Sequence, residues 1–160
     1  MPHISLAMGV IRQDDLVTVQ KILKTIAEQT NPLILQISKQ YSESIPTGET
    51  VLGLKIKPTD ALLLLHQHIM EKLTPYVFYD ATLDELFDLN AEPQTVKWVN
   101  EFKQSSSGQK FWPHITVGIS ESSCEFSREP FLVSELAIFH LGTYCTCPVK
   151  GCLARWNLHQ

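Results

Sequence analysis

The chain has 160 residues, 44% hydrophobic and 19% charged, with a formal net charge of −4. That size and balance fit one globular domain with a real core and exclude a disordered chain. The acidic balance excludes a protein that coats long duplex nucleic acid, and no apolar run approaches membrane-spanning length. The start, Met-Pro-His, lacks the basic stretch of a secretory leader, so a cytoplasmic protein that binds no membrane is expected.

In chain order, His3 to Leu6 reads as a first strand. Gln13-Asp14-Asp15 then starts a helix with acid in its first turn. Leu16, Val19, Ile22, Leu23 and Ile26 recur at helical spacing until Thr30-Asn31-Pro32. The runs Leu33 to Ser38 and Thr50 to Ile56 predict a hairpin with one buried face, joined by a polar turn from Ser42 to Glu49. Thr59 and Asp60 cap a second helix that reaches about Leu73 and ends at Pro75. A third helix starts near Glu92-Pro93 and carries Val96, Trp98, Val99 and Phe102. Gln104 to Gln109 is a flexible loop that leads into another strand, His114 to Val117.

The first and last of these strands carry the chemistry. His3-Ile4-Ser5-Leu6 and His114-Ile115-Thr116-Val117 share one pattern: imidazole, aliphatic, hydroxyl, aliphatic. Alternation along a strand puts His3 and Ser5 on one face and Ile4 and Leu6 on the other, and the same holds for the second tetrapeptide. Each strand then has a wet face and a core face, and two of them suggest one shared cleft. Histidine, with an unperturbed pKa of about 6.5, gives or takes a proton near neutrality. Cleaving a phosphodiester needs a base for the attacking oxygen and an acid for the leaving one, roughly in line across phosphorus. His3 and His114 can fill both roles. Ser5 and Thr116 can donate hydrogen bonds to the non-bridging oxygens, where charge develops. This arrangement needs neither cofactor nor metal.

Pro2-His3-Ile4-Ser5-Leu6 and Pro113-His114-Ile115-Thr116-Val117-Gly118 resemble the paired His-x-Ser/Thr motifs of the 2H phosphoesterase superfamily, which includes 2′–5′ RNA ligase-like proteins and cyclic nucleotide phosphodiesterases. Glu135 to His140 and Leu153 to Leu158 are similar to the final strand pair of that family. The resemblance spans nearly the whole chain. It implies a bilobal α+β fold with two antiparallel sheets facing a central cleft, helices outside, and residues 1–160 as a single domain. It also implies a metal-independent phosphodiesterase acting on a 2′,3′-cyclic phosphate or a 2′–5′ linkage, in a small nucleotide or at an RNA end. RNA ligase activity is compatible with the same groups, and a monomer is expected. The alternative is a nucleotide-binding module with the same cleft and no turnover. Family members usually carry a strand and a helix before the first motif, whereas His3 is the third residue here.

Beside the second motif, Lys110 could counter phosphate charge, and Phe111 or Trp112 could stack on a base. Core packing is the commoner fate of such rings. Tyr41, Tyr144 and Trp156 are comparable stacking candidates, and His140 is a further candidate for substrate contact. His66 and His68 stand two apart on a helix, cannot chelate together, and read as surface or helix-flank residues. His159 reads as a disordered tail. Cys145, Cys147 and Cys152 lack the paired spacing of a structural zinc site, so they and Cys124 are expected as free thiols, with Tyr144 to Gly151 as the turn of a terminal hairpin.

Overall fold

The protein is described by a computed structural model covering residues 2–45, 48–88, 90–119 and 125–159. Cys124 lies outside the described residues. The architecture is α+β. Among the described residues, three α-helices (α1–α3) are interspersed among nine strands (β1–β9).

The helices form where their apolar spacing and caps require. A 3-10 turn at Gln13–Asp15 leads into α1, Leu16–Gln29, which buries Val19, Leu23, Ile26 and Ala27 along one face. Helix α2, Asp60–Leu73, starts at Thr59, whose hydroxyl accepts the Leu62 amide at 3.3 Å. It buries Leu62, Leu65, His66, Ile69 and Leu73. Helix α3, Pro93–Ser105, has proline in its first turn and buries Thr95, Val99 and Phe102. No helix among the described residues is long and apolar enough to cross a membrane.

All strand pairing is antiparallel, five ladders in four sheets among the described residues. Strand β1 (Val10–Ile11) pairs with β5 (Val77–Phe78), and β2 (Leu33–Leu35) with β7 (Phe131–Val133). The largest sheet has the order β3-β4-β6, from Ile37–Ser44, Thr50–Ile56 and His114–Ile119. Strands β8 (Glu135–Phe139) and β9 (Cys152–Asn157) close the chain as a hairpin. The run expected as one strand from Leu33 to Ser38 is divided at Gln36, where the backbone leaves one sheet for another. The Gln36 side chain donates to the Arg128 carbonyl at 2.8 Å, and its own carbonyl accepts the Lys57 amide at 2.8 Å. Strand β3 then runs on to Ser44, so the hairpin turn is shorter than the polar composition suggested.

Leu23, Ile26, Leu35, Ile56, Leu62, Ile69 and Leu158 belong to one core cluster built by α1, α2 and the sheets. Each such side chain contributes about 1.5–3 kcal/mol by leaving water. Ile4, Leu6 and Ile115 pack against the same cluster, so three of the four motif residues expected to face the core do so. The chain end is tied down rather than disordered: the His159 amide donates to the carbonyls of Ala27 and Thr30, at 3.0 and 2.8 Å.

Candidate active site

The second motif forms a strand as expected, and β6 carries it beside the middle strand of the largest sheet. Register sets Lys55 opposite His114 and Gly53 opposite Thr116. On the next strand, Lys39 stands opposite Lys55 and Tyr41 opposite Gly53. Residues directly opposite share a face, so Lys39, Tyr41, Lys55, His114 and Thr116 belong to one side of the sheet. The other side holds Leu52 and Ile56, both buried in the core.

Val117 departs from the expected alternation and is 50% exposed. Between Leu52↔Gly118 and Gly53↔Thr116 the register slips by one residue, which makes Val117 the extra residue of a bulge. Gly118 beside it has φ +153°, a conformation that side-chain-bearing residues rarely adopt.

His114 sits in an aromatic box. Its ring stacks on Trp112, with centroids 4.1 Å apart and planes at 15°. The edge of Tyr41 approaches both rings, at 5.9 Å from His114 and 5.4 Å from Trp112. The His114 Nδ1–H donates to the Trp112 carbonyl at 3.1 Å, which directs Nε2 away from the strand backbone. Burial pushes the His114 pKa below its ordinary value; the bond to Trp112 and the Glu43 carboxylate oppose this, and His3 adds to it by like charge. His3 is therefore within electrostatic reach of His114. The Tyr41 hydroxyl is hydrogen-bonded to Thr116, while burial, with Glu43 adding to it, pushes its pKa up to about 12.

The first motif does not form the expected strand. Residues 2–8 join no ladder among the described residues. This segment lies over a largely apolar cavity of about 580 Å³, whose lining includes His3, Ser5, Leu62 and Leu73. Ile115 reaches that cavity, whereas His114 and Thr116 do not line it. His3 acts on His114 electrostatically, and Ser5 lines the cavity while Thr116 does not.

The remaining candidates separate clearly. Phe111 is buried and stacks on His66, so it is a core ring and not a base platform. Lys110 Nζ donates to the Gln104 carbonyl at 2.9 Å, at the end of α3. His140 is held by the Glu85 carbonyl at 2.7 Å, with its ring edge-on to Phe87. Tyr144 donates its hydroxyl to Glu49 at 3.2 Å, and Trp156 packs on the core. None of these five stacks on His114, whose ring partners are Tyr41 and Trp112. Cys145 ends one 3-10 turn, Cys147 lies between it and the next, and Cys152 starts β9, none of the three in a disulfide; burial pushes the first two up to about 12 and about 11.

Three residues escaped the sequence reading. Lys39 and Lys55 carry no motif; only strand register reveals that Lys55 stands opposite His114, with Lys39 beyond it on the same face. His66 was expected at the surface, yet it is 2% exposed. Its position in the Leu62, Leu65, His66, Ile69 stripe was the available signal, since a histidine there lies on the buried face of α2.

No family model matches the chain, and no curated protein matches it significantly by sequence. A crystal structure of a phosphoesterase is similar in fold, with a TM-score of 0.56 at 14% identity, covering 99% of this chain and 78% of that one. The chain therefore has a phosphoesterase fold, α+β and bilobal.

Proposed function

We propose that this chain is a metal-independent phosphodiesterase of the 2H type, acting on a 2′,3′-cyclic phosphate or 2′–5′ linkage in a small nucleotide or at an RNA end. The observation that carries the proposal is His114, boxed by Trp112 and Tyr41, inclined by burial to stay neutral, and within electrostatic reach of His3. The likeness to a phosphoesterase structure supports the same class of chemistry.

A histidine held neutral is suited to act as the base. His114 takes the proton from the attacking water or hydroxyl as that oxygen bonds to phosphorus. The bond to the leaving oxygen breaks on the opposite side, and His3 supplies that oxygen with a proton. Thr116 donates a hydrogen bond to a non-bridging oxygen. Lys55 and Lys39 add positive charge on the same face of the sheet, and the Trp112 ring stacks on the base. The protein works as a monomer from one bilobal domain.

The test is incubation, with chelator present, with 2′,3′-cyclic mononucleotides and 2′–5′-linked dinucleotides, followed by identification of the product phosphate. Turnover of one linkage class without metal is expected; complete loss on chelation would overturn the mechanism. The segment carrying His3 joins no ladder, which favours a second reading: a nucleotide-binding module without turnover. That reading predicts saturable binding of the same compounds and no product.

A further inference from the structure

His66 lies deep in the molecule, on the core-facing side of α2, yet it touches both motif-bearing segments. Its Nδ1 is 2.8 Å from the carbonyl of Leu6, the last residue of the first motif. The amide of Gly108, in the loop before the second motif, donates to its Nε2 at 3.1 Å. Because Nε2 accepts, the single ring proton sits on Nδ1 and is donated to Leu6. The ring also stacks face to face on Phe111, with centroids 3.8 Å apart and planes at 5°. Phe111 is three residues before His114. Pro113, between them, accepts the Ile56 amide through its carbonyl at 2.9 Å, which fixes that loop to β4.

One imidazole thus bonds to one motif and braces the approach to the other. The need for such a brace follows from the first segment itself. Residues 2–8 join no ladder among the described residues and lie over a cavity, so no sheet pairing sets their place. The bond to the Leu6 carbonyl comes three residues after His3, close enough to set where the His3 imidazole can stand.

We infer that His66 is a positioning residue, which holds the His3 segment in register with the His114 loop by bonding Leu6 on one side and Gly108 on the other. Its consequence for catalysis rests on the two-histidine reading above, whereas its effect on the placement of His3 does not.

The two nitrogens can be tested separately. The asparagine amide superposes on the Nδ1 position and can keep the bond to Leu6, whereas the glutamine amide extends to the Nε2 position and keeps only Gly108. The probe is the His114 pKa, followed by NMR titration of its ring carbon, with and without His3→Ala. In the native protein, His3→Ala should raise the His114 pKa by removing a nearby like charge. That increment should persist in His66→Asn and vanish in His66→Gln and His66→Phe. An equal increment in His66→Asn and His66→Gln, whether kept or lost, would overturn the inference, and that pair decides the matter even if His66→Phe does not fold. With an accepted substrate, His66→Gln should lower kcat about 100-fold with little change in KM, the loss expected for a misplaced catalytic group. Retained coupling between His3 and His114 in a protein without turnover would count against the enzyme reading alone.

Discussion

Tyr41 lies across the backbone of Gly53, so closely that a methyl group at position 53 would stand 2.3 Å from Tyr41 Cζ. The middle strand lacks a side chain there, and the Tyr41 hydroxyl passes over it to bond Thr116 on the far strand. Gly53→Ala should push the ring aside, break that bond and open the box around His114. Overpacking of this kind costs about 1–3 kcal/mol. In a Tyr41→Ala background the same methyl meets no ring, and its cost should fall below about 0.5 kcal/mol. Urea unfolding of the four proteins measures the difference. Equal costs in both backgrounds would show that Tyr41 is not what requires glycine.

Stability should depend on two buried histidines. Burial lowers the pKa of both His66 and His114, although the bonds to Leu6 and Trp112 oppose it. Between those lowered values and about 6.5, the unfolded chain binds more protons than the folded one, so stability rises with pH in that window. It should therefore be lost as pH falls below about 6.5. The urea midpoint, measured from pH 8 to pH 5, should hold steady and then drop, and His114→Phe should reduce the drop. A midpoint insensitive to pH below 6.5 would contradict this account of both rings.

Lys55 and Lys39 share the face of the sheet with His114 and Thr116. If they attract the substrate phosphate, Lys55→Ala should raise KM about 5- to 20-fold, the effect of a charge-assisted hydrogen bond worth roughly 1–2 kcal/mol, and leave kcat within a factor of about 3. The effect should shrink as salt rises. Steady-state kinetics at two ionic strengths checks it. A fall in kcat with KM unchanged would assign Lys55 to the chemical step instead.

Much of this architecture is legible in the sequence because local signals agree with the tertiary outcome. The spacing of Leu16, Val19, Leu23 and Ile26, the Thr59 cap and Pro93 at a helix start all lead to the helices observed. The second motif is legible too, because β6 is paired and its alternation has a core to face. The first motif has the same alternation and its Ile4 and Leu6 reach the core, but a strand needs a bonded neighbour that residue patterns do not record. Val117 escaped for a similar reason, since the bulge arises between strands and not within one. Lys39 and Lys55 are visible only through register, a non-local property. His66 departs from its expectation because its spacing from His68 says nothing of the buried stripe of α2 to which it belongs.

The central claim, that His3 and His114 act as an acid–base pair, is tested most directly by kcat/KM on a 2′,3′-cyclic mononucleotide for the native protein, His3→Ala, His114→Ala and the double variant, with chelator present. Each single substitution should cost about 10²–10⁴-fold, and the double variant should be little worse than the poorer single one, because groups that act as a unit are not additive. Activity near native in either single variant, or losses that multiply in the double, would contradict the account.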